Sequence, residues 1–108
     1  MLKVSNNNIT ITRGDSGVIN IHINGPDGAE YKMAEGDKAV LTVKKTTTAA
    51  KALITLDITD GVAKFKPSDT AGLDYGNYVY DCQLSTAEGD VYTFITPHTF
   101  RIAEEVTF

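Results

Sequence analysis

The sequence has 108 residues, of which 42% are hydrophobic and 22% are charged, a composition typical of one globular domain spanning residues 1–108. Its formal net charge of -4 argues against nucleic-acid binding, because phosphates select a concentrated basic face. No apolar run approaches the ~20 residues that cross a bilayer, and the first residues lack the apolar core of a secretory signal. We therefore expect no membrane contact, and a chain that is either used inside the producing cell or exported without a visible signal.

Isoleucine alternates with polar residues near the start of the chain, which predicts two short strands. Between them, Arg-Gly-Asp at residues 13–15 spells the integrin tripeptide, which we interpret as a tight turn whose charged side chains face water. Gly-Pro-Asp-Gly at residues 25–28 predicts the next turn, because proline at the second position supplies the φ angle required there. Tyr31 and Met33 then give a brief apolar alternation. The apolar positions of the two strands are Ile9, Ile11, Ile19, Ile21 and Ile23.

Alternation returns at residues 39–43 and 54–58, which predicts two further strands. Residues 46–51 between them fit either a loop or an irregular crossing between two sheets. Asp-Gly at residues 60–61 predicts a type I′ hairpin turn, because that turn needs positive φ at both central positions. The turn leads into a short strand at residues 63–65.

The last third of the chain begins at Pro67, which ends the preceding strand because it has no N–H to donate. Ser68 or Asp69 is expected to cap a single helical turn. The most apolar strand follows, and a turn at residues 87–90 joins it to the strand of residues 91–96, which Pro97 is expected to break or bulge. The inward positions of the apolar strand are Tyr78, Tyr80, Cys82 and Leu84, and the final run carries Phe100, Ile102, Val106 and Phe108.

Seven to eight short, mostly antiparallel strands predict an all-β sandwich or barrel, and one local pattern favours an immunoglobulin-like β-sandwich. Asp74, Gly76 and Tyr78 have the spacing of a tyrosine corner, in which the Tyr78 hydroxyl bonds to the backbone a few residues upstream. Tyr80 takes the position that a disulfide cysteine has in antibody domains. Since the sequence also contains no tryptophan, the architecture does not imply the antibody family.

The sequence shows no recognisable catalytic, cofactor or metal site. Cys82 is the only cysteine, so no intrachain disulfide or cysteine cluster for zinc can form, and its apolar strand predicts a buried side chain. No serine lies in a Gly-x-Ser-x-Gly elbow, and two histidines, His22 and His98, do not complete a zinc site. Acidic residues recur beside turn glycines without the dense spacing of a calcium loop. We therefore expect a non-enzymatic protein without cofactors.

Two segments near the C-terminus are candidates for a protein interface. In the strand of residues 91–96, Tyr92 and Phe94 alternate with apolar residues, so that one face can pack on the sister sheet while the other meets a partner. The alternative is that the protein's own loops cover this strand. Val106 and Phe108 form a terminal run that is either tied into the sheet or available to pair with another chain.

Six short segments, spread over nearly the whole chain, match a known family in the same order. The most specific of them is Leu-x-Tyr-Gly-x-Tyr-x-Tyr-Asp-x-Gln-Leu at residues 73–84. The others are Ile-Thr-Arg-Gly-Asp-Ser at 11–16, Glu-Gly-Asp at 35–37, Leu-Thr-Val-Lys-Lys at 41–45, Asp-Thr at 69–70 and Glu-Val-Thr at 105–107. Together they resemble the immunoglobulin-like N-terminal domain of upper baseplate and tail-fibre proteins from phages and prophages of Gram-positive hosts.

This resemblance implies a virion component made in the cytoplasm of a bacterial host, which assembles as a symmetric homo-oligomer and binds other virion proteins. It implies no catalytic residues. Family members often continue into a long fibre or a carbohydrate-binding head domain, whereas this sequence stops at Phe108. We therefore expect an adaptor in the baseplate, tail fibre or head fibre, a decoration protein or a fibre base.

A different class of function stays open beside this one. Loops at one end of a β-sandwich can bind carbohydrate or another surface ligand, and tyrosine rings are suitable stacking residues for sugars. Tyr31, Tyr75 or Tyr92 would serve that purpose here.

Overall fold

The computed structural model describes residues 2–23 and 30–105, and these ranges contain eight strands and one short helix. The predicted all-β fold is thereby confirmed. The strands are β1 (Leu2–Ser5), β2 (Asn8–Thr12), β3 (Gly17–Asn20), β4 (Lys38–Lys44), β5 (Ile54–Ile58), β6 (Val62–Phe65), β7 (Gly76–Ser85) and β8 (Val91–Ala103), and the helix is α1 (Pro67–Ala71).

The strands form two sheets of very different size, and the arrangement is sandwich-like. Six strands pair in the order β1-β2-β8-β7-β4-β5, while β3 and β6 form a separate two-stranded sheet. Neighbouring strands are antiparallel except β2 and β8, which run parallel. Phe65 of the small sheet and Phe100 of the large sheet meet in the core, with ring centroids 5.5 Å apart. The inner face of each sheet is therefore apolar, as the alternating sequence pattern requires.

Two tight turns have positive φ at both central residues. Asp60 (52°) and Gly61 (75°) connect β5 to β6 and have the positive φ angles predicted for a type I′ turn. The predicted hairpin does not extend beyond this turn, because β5 and β6 belong to different sheets and are joined only by the bridge of Thr59 to Val62. Asn6 (51°) and Asn7 (64°), also with positive φ, connect β1 to β2. The sequence analysis did not identify β1, because its run Leu-Lys-Val-Ser alternates over four residues only, too few to stand out as a strand.

The strand predicted through Ile23 is shorter than expected. Ile21 and Ile23 are buried as the pattern indicates, but β3 ends at Asn20 because its partner β6 begins opposite that residue. Residues 31–33 lie outside the strands, and residues 46–51 are a loop between β4 and β5. The turn predicted at residues 25–28 lies outside the described residues.

The predicted helical turn is present as α1, but its cap differs from the prediction. Lys66 is the N-cap, and Ser68 and Asp69 lie within the helix. The Asp69 carboxylate accepts a hydrogen bond from the Lys66 N–H at 2.7 Å, so Asp69 caps the helix from its third position. Thr70, one residue further, is fully buried.

β7 has the inward face that the sequence predicts. The Tyr78 hydroxyl donates a hydrogen bond to the Asp74 carbonyl oxygen at 2.7 Å, which is the bond of a tyrosine corner. Tyr80, Cys82 and Leu84 continue this face and are buried. Burial raises the pKa of the Cys82 thiol to about 12, so it stays protonated and unreactive at neutral pH.

Candidate functional site

Among the described residues, β8 has a neighbouring strand on one side only over most of its length. It runs for 13 residues and pairs with β7 from one end to the other, whereas β2 pairs only with residues 100–103. Within the described ranges, no strand covers residues 91–98 on the side away from β7. We call this segment the β8 edge. Residues 91–95, Val-Tyr-Thr-Phe-Ile, contain neither charge nor proline, which are two of the features by which natural edges avoid pairing.

Two irregularities bend the β8 edge and change the predicted face of its side chains. Leu84 stands opposite Tyr92 and Cys82 opposite Ile95, so Tyr92 and Ile95 lie on the inner face. Phe94 is the extra residue of a bulge between them and does not share a regular face with Tyr92, which corrects the simple alternation predicted for this strand. A second irregularity spans residues 96–97, where Pro97 had been expected to break or bulge the strand.

The turn between β1 and β2 is fixed beside the β8 edge by two hydrogen bonds. The Tyr80 hydroxyl donates to the Asn7 carbonyl oxygen at 2.5 Å. The Thr99 N–H donates to Asn8 Oδ1 at 3.1 Å, at the point where β2 begins to cover β8. These bonds hold the β1–β2 hairpin in place beside residues 100–103 of β8. The hairpin extends the sheet by two strands there and we call it the step. The space beside residues 91–98, which the hairpin does not cover, we call the recess.

A groove of about 680 Å³ lies on the inner side of the β8 edge. Tyr31, Leu84, Tyr92 and Phe94 contribute its aromatic and aliphatic walls, and residues of β3 and β6 do not line it within the described ranges. The groove exists because a two-stranded sheet cannot cover the inner face of a six-stranded one. Tyr92 is consequently 48% exposed although it lies on the inner face. We call this the edge groove.

Asp37 holds one wall of the edge groove in place. Its Oδ2 accepts hydrogen bonds from the Tyr31 hydroxyl at 2.6 Å and the Ala34 N–H at 2.9 Å, and its Oδ1 accepts one from the Ala87 N–H at 3.3 Å. The bond from Tyr31 lowers the pKa of Asp37 and raises the pKa of Tyr31, so both keep their protonation states at neutral pH. These bonds join the segment containing Tyr31 to the β7–β8 hairpin.

A larger depression of about 860 Å³ lies on another side of the segment containing Tyr31. Its charged lining residues carry both signs. Lys38 Nζ lies 3.8 Å from Asp57 Oδ1, and His22 Nδ1 lies 4.0 Å from Glu30 Oε1. The edge groove differs, since its charged lining residues within the described ranges are all acidic: Glu35, Asp37, Glu88 and Asp90.

The Arg-Gly-Asp segment is a turn, as predicted, but Arg13 does not simply face water. Its Nε donates to Glu105 Oε1 at 2.8 Å, which raises the pKa of Arg13. Its Cζ lies 4.2 Å from the centroid of the Tyr75 ring, and the Gly14 N–H donates to Thr70 Oγ1 at 2.8 Å. The Arg13 side chain is therefore held by contacts within the chain, to Glu105 and to the Tyr75 ring. Tyr75 belongs to this cluster and does not line the edge groove with Tyr31 and Tyr92.

Of the four predicted interface residues, Tyr92 and Phe94 border the edge groove, and Val106 and Phe108 lie outside the described residues. Among described residues, no three His, Cys, Asp or Glu side chains come together as a potential metal site. The described part of the chain also contains no helix that is long and apolar enough to span a membrane. The sequence analysis named Tyr31 as a possible stacking residue but missed its hydrogen bond to Asp37, and it missed Val4. It also missed the recess, which depends on strand pairing between distant parts of the sequence.

Comparison with known proteins adds no assignment. No protein-family model matches the sequence, and no curated protein is significantly similar to it.

Proposed function

We propose that the chain is a non-enzymatic structural or attachment component of a bacteriophage or prophage particle, acting by protein–protein assembly at the β8 edge. The observation that carries this proposal is the uncharged, one-sided strand of residues 91–95. Val91 is 59% and Tyr92 48% exposed, so a partner strand would cover apolar surface and satisfy the open backbone groups together. The partners are other virion proteins and further copies of the chain, as the resemblance implies.

Incorporation into particles tests this proposal. Tagged wild-type protein, the variant Tyr92→Asp and the matched control Val18→Asp are expressed in the phage-producing strain, and purified particles are quantified by mass spectrometry. Val18 is 57% exposed on β3, which belongs to the separate two-stranded sheet and not to the sheet that contains the β8 edge. We expect wild type and Val18→Asp in particles and at least about tenfold less Tyr92→Asp, because a buried charge at an interface is costly. Equal incorporation of all three would contradict the proposal.

A second candidate function is binding of carbohydrate, and the edge groove favours it. Two of the three tyrosines that the sequence offers for stacking, Tyr31 and Tyr92, line this groove beside hydrogen-bond-accepting carboxylates. Protein-observed NMR titration with host-wall polysaccharide separates this function from assembly. Shifts at Tyr31 and Tyr92 but not at Tyr75 would support it, and no shifts at millimolar ligand would reject it.

A further inference from the structure

The open side of the large sheet has the outline of a step beside a recess. The β1–β2 hairpin projects two strands beyond β8 along residues 100–103, and the β8 edge lies beside it without a neighbour in the described ranges. Residues 91–98 span at most about 25 Å at ~3.3 Å per residue, and their two irregularities shorten this to roughly 20 Å. Strand β2 (Asn8–Thr12) spans about 16 Å, so the step fits the recess in length.

We propose that the occupant of the recess is the β1–β2 hairpin of a second copy of the chain, related by a two-fold axis perpendicular to the sheet. This inference deepens the proposed function, on which it rests, by naming the partner of the β8 edge. The rotation places β1 of each copy beside residues 91–95 of the other. The two large sheets become one continuous sheet, and both recesses are filled at once, so the assembly is a closed dimer.

The faces of the two edges match in this arrangement. Val4 stands opposite the buried Ile9, which places it on the inner face, and Tyr92 is on the inner face because it stands opposite Leu84. A two-fold axis perpendicular to the sheet keeps both inner faces on one side. Val4 is 48% exposed and Tyr92 equally so, and the dimer buries both side chains against each other's strands.

The strand directions and the exposed apolar residues favour the β1 edge over a second β8 edge. The rotation makes β1 of one copy parallel to β8 of the other, so the start of β1 lies beside the start of β8. Lys3 lies on the outer face, because it alternates with Val4, and comes beside Val91 there. A dimer that paired two β8 edges directly would leave Val4 exposed, whereas pairing with β1 covers Val4 and Tyr92 together. Burial of both apolar side chains therefore selects the β1 edge as the partner.

Cysteine cross-linking tests the geometry. Neighbouring strands place Cα atoms roughly 4.8–5.5 Å apart, within the range of a disulfide. The native Cys82 is fully buried and does not interfere. We expect a mixture of Val4→Cys and Tyr92→Cys chains to form covalent dimers under mild oxidation, while each single variant alone stays unlinked. The double variant is expected to stop at the dimer, because the two-fold assembly is closed.

Ladders of higher multimers from the double variant would overturn the two-fold arrangement, and so would the absence of any cross-link. Light scattering during size-exclusion chromatography gives a second readout without new cysteines. Wild type and Val18→Asp are expected at twice the chain mass of 11.7 kDa, and Val4→Asp and Tyr92→Asp at the single chain mass. Wild type that stays monomeric at every concentration would overturn the dimer.

The outcomes also separate this inference from the proposed function. A monomeric wild type whose Tyr92→Asp variant is still lost from particles would remove the dimer and retain assembly at the β8 edge. A cross-linked dimer whose Tyr92→Asp variant enters particles normally would retain the dimer and remove the edge from particle assembly.

Discussion

Phe100→Ala is expected to lower the free energy of unfolding by about 3–5 kcal/mol, the largest effect of any substitution considered. Phe100 is fully buried, its Cα neighbours are Ile9 in β2 and Tyr78 in β7, and its ring contacts Phe65 of the small sheet. Truncation therefore leaves a cavity where three strands and both sheets meet. Urea denaturation of the purified variant measures the loss.

Phe100→Leu is the matched control for this substitution, because it keeps most of the apolar volume. We expect it to cost clearly less than the alanine variant, on the order of 1–2 kcal/mol. If Phe100→Ala lost less than about 1 kcal/mol, the core contact between the two sheets would be wrong.

Thr70→Val is expected to cost about 1–3 kcal/mol although it preserves the shape of the side chain. The Thr70 hydroxyl is the acceptor for the Gly14 N–H at 2.8 Å, and the valine methyl group leaves that donor unpaired beside a fully buried position. The measurement is again urea denaturation. Thr70→Ser restores the acceptor and should recover the part of the loss that belongs to the hydrogen bond. A valine variant as stable as wild type would show that this bond does not anchor the turn.

Four of the segments on which the resemblance was based contribute a residue to this anchor. Arg13 and Gly14 of residues 11–16, Thr70 of residues 69–70 and Tyr75 of residues 73–84 contact one another or share the partner Glu105, the first residue of the last segment. Their chemistry joins the β2–β3 turn, the short helix and the entry to β7. The residues of these segments therefore stabilise the fold at this point.

Features fixed by local chemistry were predictable from the sequence. The Asp60-Gly61 turn follows from its demand for positive φ, and the inward face of β7 follows from strict alternation. The Tyr78 hydrogen bond spans only four residues, so its spacing is visible in the sequence.

Features that depend on distant segments were not predictable in the same way. Within the described ranges, the β8 edge has no neighbouring strand on the side away from β7. The reason is that β2, which lies far away in the sequence, pairs in parallel with residues 100–103 alone. The bulge at Phe94 brings Tyr92 and Ile95 onto the same face, and alternation by itself gives no sign of it. The edge groove likewise depends on Asp37, which accepts hydrogen bonds both from Tyr31 and from Ala87 in the distant β7–β8 turn.

Amide hydrogen exchange of residues 91–95, followed by mass spectrometry in dilute free protein and in purified phage particles, shows whether this edge is where the chain assembles. In the free protein we expect the amides that point away from β7 to exchange rapidly, since no described strand accepts their hydrogen bonds. In particles the same amides should be strongly protected. Equal exchange in the two samples, or particles that lack the chain, would contradict assembly through the β8 edge.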